Sequence, residues 1–238
     1  MTRIAILDDY QRVALKMADW TVLDGADITV FDTAMEDEET VSEALQPFEI
    51  VAIMRERTPF PRSLFAKLPN LKLLVTTGMK NAAVDVEAAH DHGVTVCGTK
   101  SPGHATAELA FLLILALARG LPEEMRSMAA GGWQVGLGRD IRGARLGLLG
   151  LGRLGSEMAR FGTTFGMEVV AWSQNLTAEA ATAAGATRVE KAELLETSDF
   201  VSLHLRLSDR TRHLVGAEEI ARMKPDAFLI NTSRGPLV

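Results

Sequence analysis

At 238 residues and 25.7 kDa, the chain has room for one large domain or two of about 120 residues, each with a real hydrophobic core. Apolar residues at 47% and charged residues at 24% exclude a disordered or collagen-like chain, and the single cysteine, Cys97, excludes a disulfide framework and a multi-cysteine metal site, so no metal is expected. The net charge of −6 is uneven: residues 1–98 carry 9 Lys+Arg against 16 Asp+Glu, residues 99–238 carry 16 against 15, and neither half has the basic stripe of a nucleic-acid binder.

The N-terminus, MTRIAILDDY, alternates and turns acidic at once, unlike a signal peptide. Strands are expected at Arg3–Leu7, Ile28–Phe31, Ile50–Met54, Leu71–Thr76 and Val94–Cys97, with helices at Gln11–Ala18, Glu38–Leu45, Arg62–Lys67 and Val84–His92 between them. Such alternation implies βαβ units on a parallel sheet. At Thr99–Gly103 the rhythm changes, and "HATAELAFLLILALAR" predicts one helix over His104–Arg119, closed by Gly120. That helix is apolar nearly all round and should be buried between domains or subunits. Its apolar run, Leu109–Ala118, is about half of the roughly 20 residues a membrane span needs, so a cytoplasmic protein without a membrane partner is expected. After a polar, glycine-rich stretch, strands are expected at Arg145–Leu149, Glu168–Trp172, Asp199–Leu203 and Ala227–Ile230. The pattern is therefore α/β throughout, with domains at 1–98 and 99–238.

The strongest local motif is "GLLGLGRLG", which holds G-x-G-x-x-G at Gly150, Gly152 and Gly155 between an apolar strand and an amphipathic helix, with a second strand next along the chain. In that context Gly150 permits the tight turn, Gly152 lets a pyrophosphate approach the backbone, and Gly155 lets helix and strand pack closely. The amides around Arg153 and Leu154 would point at the phosphates from the helix N-terminus. The acidic residue that normally ends the second strand is missing, since Ser173, Gln174 and Asn175 come after Trp172. Ser173 and Asn175 offer uncharged hydrogen bonds to a ribose. With no Lys or Arg after Trp172 for an extra phosphate, NAD is the expected cofactor; NADP stays open.

The chain resembles the D-isomer-specific 2-hydroxyacid dehydrogenases, and among them the phosphoglycerate-dehydrogenase-like members. The resemblance rests on "LPNLKLLVTTGMKNAAVDVEAAHDHGVTVCGT", "ATAELAFLLILALAR", "GLLGLGRLG", "SLHLRLSDRTRHLVG" and "MKPDAFLINTSRGPLV". It implies a flavodoxin-like substrate domain followed by a Rossmann-type doubly wound cofactor domain, with hydride transfer between NAD and a D-2-hydroxy acid such as 3-phosphoglycerate in the cleft between them. It assigns the substrate's carboxylate to Arg234, which suits a guanidinium's paired donors, and a carboxylate-binding loop to Thr77 and Gly78, although Lys80 stands where the family often has a second glycine. Arg55 and Arg57 either meet a second anionic group on the substrate or are simply solvated. The resemblance gives Thr232 a cofactor-binding role and His204 a cofactor-lining or structural one, and Arg206 replaces a proline common in the family's turn. It also implies a homodimer through about 104–142. The family's acid/base histidine and its paired glutamate lie downstream of the "NTSRG" strand, so the chain reads as an apparently truncated member with an incomplete cofactor domain, inactive by itself. The second reading is a dinucleotide-binding interaction protein of the type of the C-terminal-binding-protein corepressors, which share this fold.

Overall fold

Alternating apolar residues build two parallel sheets, and a computed structural model describes residues 1–100 and 103–238 of them. The chain divides into two compact units, Met1–Ser101 and Pro102–Val238. In the first, β1 (Thr2–Ile6), β2 (Ala26–Val30), α1 (Glu38–Leu45), β3 (Ile50–Ile53), α2 (Arg62–Lys67), β4 (Leu73–Thr76), α3 (Val86–Asp91) and β5 (Thr95–Gly98) succeed one another. All strand pairs are parallel, in the order β2-β1-β3-β4-β5, which is the flavodoxin-like arrangement. Aspartates start two of its helices: Asp37 accepts from Thr40 N–H (2.8 Å) and Asp85 from Ala88 N–H (2.8 Å). Val41 and Leu45 of α1, Leu64 and Phe65 of α2, and Ala88 and Ala89 of α3 close over Ala5, Val51, Ile53 and Leu74 of the sheet.

One expected helix is absent. Gln11–Ala18 contains only a single 3₁₀ turn, Ala14–Lys16, with another after it at Trp20–Val22. The Asp9 carboxylate accepts from the N–H groups of Val13 (3.0 Å) and Ala14 (2.9 Å), and Asp8 and Arg12 sit at φ 62° and 55°. Those local bonds hold the segment as a loop in place of a helical ladder.

The second unit opens with α4 (His104–Ala118) and α5 (Leu121–Ala129), then runs through β6 (Arg145–Leu149), α6 (Arg153–Thr164), β7 (Glu168–Trp172), α7 (Ala178–Ala183), β8 (Thr187–Arg188), α8 (Lys191–Thr197), β9 (Phe200–Leu203), α9 (Ala217–Arg222) and β10 (Phe228–Asn231). Its order, β10-β9-β6-β7-β8, is all parallel and doubly wound. Alternate strand residues serve opposite faces. Leu146, Leu148, Val169 and Phe200 pack with α4 and α6, whereas Leu149, Val170, Val201 and Leu203 pack with Leu194 and Leu195 of α8. Apolar periodicity does not pick out α5, although Pro122 and two acidic residues in its first turn are helix-start signals.

The expected burial of α4 holds on one face only. Ala107, Ala110, Phe111, Ile114 and Ala118 are buried, and the Phe111 ring lies 5.6 and 5.0 Å from those of Phe161 and Phe165. On the other face Leu109, Leu112 and Leu113 are 49%, 55% and 38% exposed. Among the described residues no single helix is long and apolar enough to cross a membrane. The two faces predict opposite outcomes. Ile114→Ala, which empties a fully buried site, should destabilise the second unit by roughly 2–5 kcal/mol. Leu112→Ala should change the monomer's stability by no more than about 0.5 kcal/mol in denaturant titration.

Candidate functional site

In an open parallel sheet, ligands bind where neighbouring strands leave in opposite directions, beyond the strands' C-terminal ends. In the second unit that point lies between β6 and β9. The loop after β6 supplies Gly150, Leu151 and Gly152, the end of β7 supplies Ser173, and the loop after β9 supplies His204, Arg206, Ser208, Arg210 and neighbouring residues; together they line a cavity of about 480 Å³.

The glycines divide their tasks as their geometry requires. Gly150 has φ 102°, and a Cβ there would fall 2.7 Å from the His204 carbonyl oxygen. A Cβ on Gly155 would fall 2.1 Å from the Gly150 carbonyl oxygen, so the first turn of α6 can seat only on a bare backbone. A Cβ on Gly152 would meet no protein atom within 4 Å. It would project into free space at the mouth of α6, whose N-terminus receives no side-chain cap. Arg153 and Leu154 begin that helix. The Arg153 guanidinium packs against Gly103, where a Cβ would come within 2.2 Å of it.

His204 is largely buried, and burial alone pushes its pKa down from 6.5 to about 4, so the ring is neutral at physiological pH. Its Nε2 lies 2.9 Å from Ser202 Oγ, while its buried Nδ1 and the buried Thr232 Oγ1 have no hydrogen-bond partner among the described residues. At the end of β10, Asn231 Oδ1 accepts from Ser233 N–H (3.0 Å), Asn231 Nδ2 donates to the Arg234 carbonyl (2.9 Å), and Ser233 Oγ donates to the Leu203 carbonyl (2.7 Å). This knot sets the backbone of Arg234, whose Nη1 donates to the Ser233 carbonyl (2.9 Å). Thr232 and Arg234 do not line the cavity.

The first unit has its own residues at strand ends. Arg55, just after β3, adopts φ 54°; its N–H donates to Thr77 Oγ1 (3.0 Å) and its Nη1 lies 3.5 Å from the Thr77 carbonyl. Its guanidinium lies over Gly78, where a Cβ would fall 2.0 Å from Nη1. The Gly78 N–H donates to Thr99 Oγ1 (3.0 Å), so that donor already has a partner within the protein. Arg57 is exposed, and its guanidinium donates to the Asp8 carbonyl (2.8 Å) and lies 4.5 Å from the Tyr10 ring centroid.

Residues 111–238 match the family model described as "D-isomer specific 2-hydroxyacid dehydrogenase, NAD binding domain". The chain belongs to the D-isomer specific 2-hydroxyacid dehydrogenase family. It is 38% identical to a glyoxylate reductase of Thermococcus litoralis over 189 residues, covering 74% of this chain and 56% of that one. It is 33% identical to a D-3-phosphoglycerate dehydrogenase of Methanocaldococcus jannaschii over 192 residues, covering 79% and 37%. A phosphoglycerate oxidoreductase structure from Vibrio cholerae superposes with a TM-score of 0.95 at 42% identity, over 100% of this chain and 77% of that one. The chain thus spans about half the length of the curated relatives it matches.

NAD is the cofactor of this dehydrogenase family's second domain, and the residues here fit it: free space at Gly152, an uncapped helix N-terminus and a cavity at the strand crossover. Among the sequence-derived candidates, Gly150, Gly152, Ser173 and His204 meet at the cavity. Arg210 joins them with no local signal in the sequence. Its Nη1 donates to Gln174 Oε1 (3.4 Å), so a guanidinium reaches the residues after Trp172 from another loop.

Substituting the glycines should separate folding from binding. Gly155→Ala should destabilise the second unit by roughly 1–3 kcal/mol through overpacking. Gly152→Ala should leave stability within about 0.5 kcal/mol but weaken NADH binding at least about tenfold in a nicotinamide-fluorescence titration. A pH dependence is expected at His204. Because its pKa is depressed on folding, the unfolded chain binds a proton that the folded chain refuses between about pH 6.5 and 4. Stability is therefore fully present above pH 6.5 and falls across that window, by up to roughly 3 kcal/mol from this group. His204→Gln should flatten that part of a thermal-stability profile.

Proposed function

We propose that the protein is an NAD-dependent oxidoreductase acting on a small D-2-hydroxy acid or its 2-oxo counterpart. The observation that carries the reading is the glycine-lined cavity at the β6/β9 crossover, with open space at Gly152. When bound, NAD supplies the hydride-accepting and hydride-donating chemistry. Gly150, Gly152 and the first amides of α6, at Arg153 and Leu154, hold its pyrophosphate, and Gly155 lets that helix seat. Ser173 takes a hydroxyl of the adenosine ribose. His204, neutral and anchored on Ser202, forms part of the cavity wall, while the buried Thr232 hydroxyl lies outside the lining.

Arg234 holds the carboxylate of the substrate. A guanidinium binds a planar carboxylate through two parallel N–H bonds and stays charged, as a donor only, at every working pH. For the same reason it takes no part in moving the proton on the substrate oxygen. In the first unit, the exposed Arg55 is the residue there suited to an anionic group, since the Gly78 N–H is already taken by Thr99. The relatives bear on the range of acids: one is named for glyoxylate and another for 3-phosphoglycerate.

The test is NADH oxidation by the whole protein with glyoxylate, hydroxypyruvate and other 2-oxo acids. Saturable NADH binding and turnover with at least one of them is expected. Arg234→Ala should lower kcat/KM on the order of 10²-fold while leaving the Kd for NADH nearly unchanged. Absence of binding by NADH and NADPH alike would overturn the reading at its cofactor.

We also propose a homodimer built on the exposed side of α4 and α5. Leu109, Leu112 and Leu113 stand beside Leu121, Met125 and Met128 in sequence as exposed apolar residues, and Trp133, Val135 and Leu137 continue the series. Apolar surface on that scale marks an interaction site, and a two-fold pairing is the commonest way to cover it. Sedimentation should find a dimer at micromolar concentration, converted to monomer by Leu112→Asp with Leu137→Asp.

A further inference from the structure

The cavity is asymmetric in charge. Where a carboxylate ordinarily ends the second strand and reads the adenosine ribose 2′-hydroxyl, this chain has Ser173, Gln174 and Asn175. Such a carboxylate repels a phosphate at the ribose 2′ position, and here it is missing. Facing that strand end is the loop after β9, which contributes Arg206 and Arg210 to the cavity lining. The Arg210 guanidinium is held at the end of β7 by its bond to Gln174 Oε1 (3.4 Å). Among the described residues its remaining donors have no hydrogen-bond or ion-pair partner, and the Arg206 guanidinium has none. Asp209, between them in the loop, does not line the cavity. Two arginines therefore line the cavity, Arg210 at the strand end where the adenosine ribose would be read, with no lining carboxylate to neutralise them.

We infer that this site accepts a 2′-phosphorylated dinucleotide, with Arg210 as the specificity-determining residue and Arg206 in a supporting role. The inference rests on the cofactor site proposed above and names which dinucleotide that site favours. The chemistry is that of arginine on phosphate: a planar fork matches two phosphate oxygens at once, and a dianionic 2′-phosphate gains what a neutral hydroxyl cannot. Gln174 serves as the brace that holds the fork at the strand end.

The experiment is a paired nicotinamide-fluorescence titration of the chain with NADPH and with NADH. The native chain should bind NADPH at least as tightly as NADH. Arg210→Gln should shift the NADPH:NADH affinity ratio toward NADH by about tenfold, and Arg206→Gln by about threefold, as expected for losing charged hydrogen bonds to a phosphate. Ser173→Asp, which restores an acid at the strand end, should shift the ratio in the same direction by about tenfold or more. Arg210 is exposed, so its variant should melt with the native chain, and circular dichroism checks that. Native binding that favours NADH by more than about tenfold, or an Arg210→Gln variant with an unchanged ratio, overturns the inference and leaves the dinucleotide site standing. If neither dinucleotide binds, the inference and the cofactor site fall together.

Discussion

The His204 N–H donates to the Leu149 carbonyl at 2.8 Å, continuing the parallel ladder that pairs Leu146 with Phe200 and Leu149 with Leu203. On the other side the Gly150 N–H donates to the Trp172 carbonyl at 2.8 Å. These two bonds tie the exits of β9, β6 and β7 to one level. The glycine turn therefore faces the 204–211 loop across β6, and every lining residue of the cavity descends from one of those three exits. Shifting β9 by a single residue would reverse its alternation, exchanging Phe200 with Val201 between the two cores and carrying His204 away from Gly150. Register here is a condition of the site as well as of the fold.

That arrangement also sets the electrostatics. Burial removes water from around His204, which loses its charge, while the outer rim keeps exposed arginines. The inner wall is thus neutral and the outer wall cationic.

Much of this is legible in the amino acids. The bounds of α1, α2, β6 and β7 agree with those that periodicity gives, because each is framed by strong local signals such as Asp37 before α1 and the glycine turn after β6. The 11–18 segment departs from its helical spacing because side-chain bonds from Asp9 compete with the helical ladder, and spacing alone does not register them. The exposed side of α4 is hidden from sequence because an apolar helix looks the same whether its second face meets protein or solvent. At the site, the glycines and Ser173 are readable because each acts within a few residues of its strand. Arg210 is not, since its contact with Gln174 spans 36 residues and depends on strand order. A local rule for the residues at the end of the second strand has no means of counting a charge delivered from a neighbouring loop.

The packing of Arg55 over Gly78 has a consequence for how such a chain can change. The two residues belong to different strand ends, yet the arginine occupies the volume that any side chain at position 78 would need. The left-handed φ of 93° at position 78 adds a second bar against replacement. A lineage that swapped this glycine would have to give up the arginine's pose in the same step or pass through a strained intermediate, so the pair should be inherited together. A member of the family that keeps glycine here but carries a short residue at 55 would present bare backbone at this strand end.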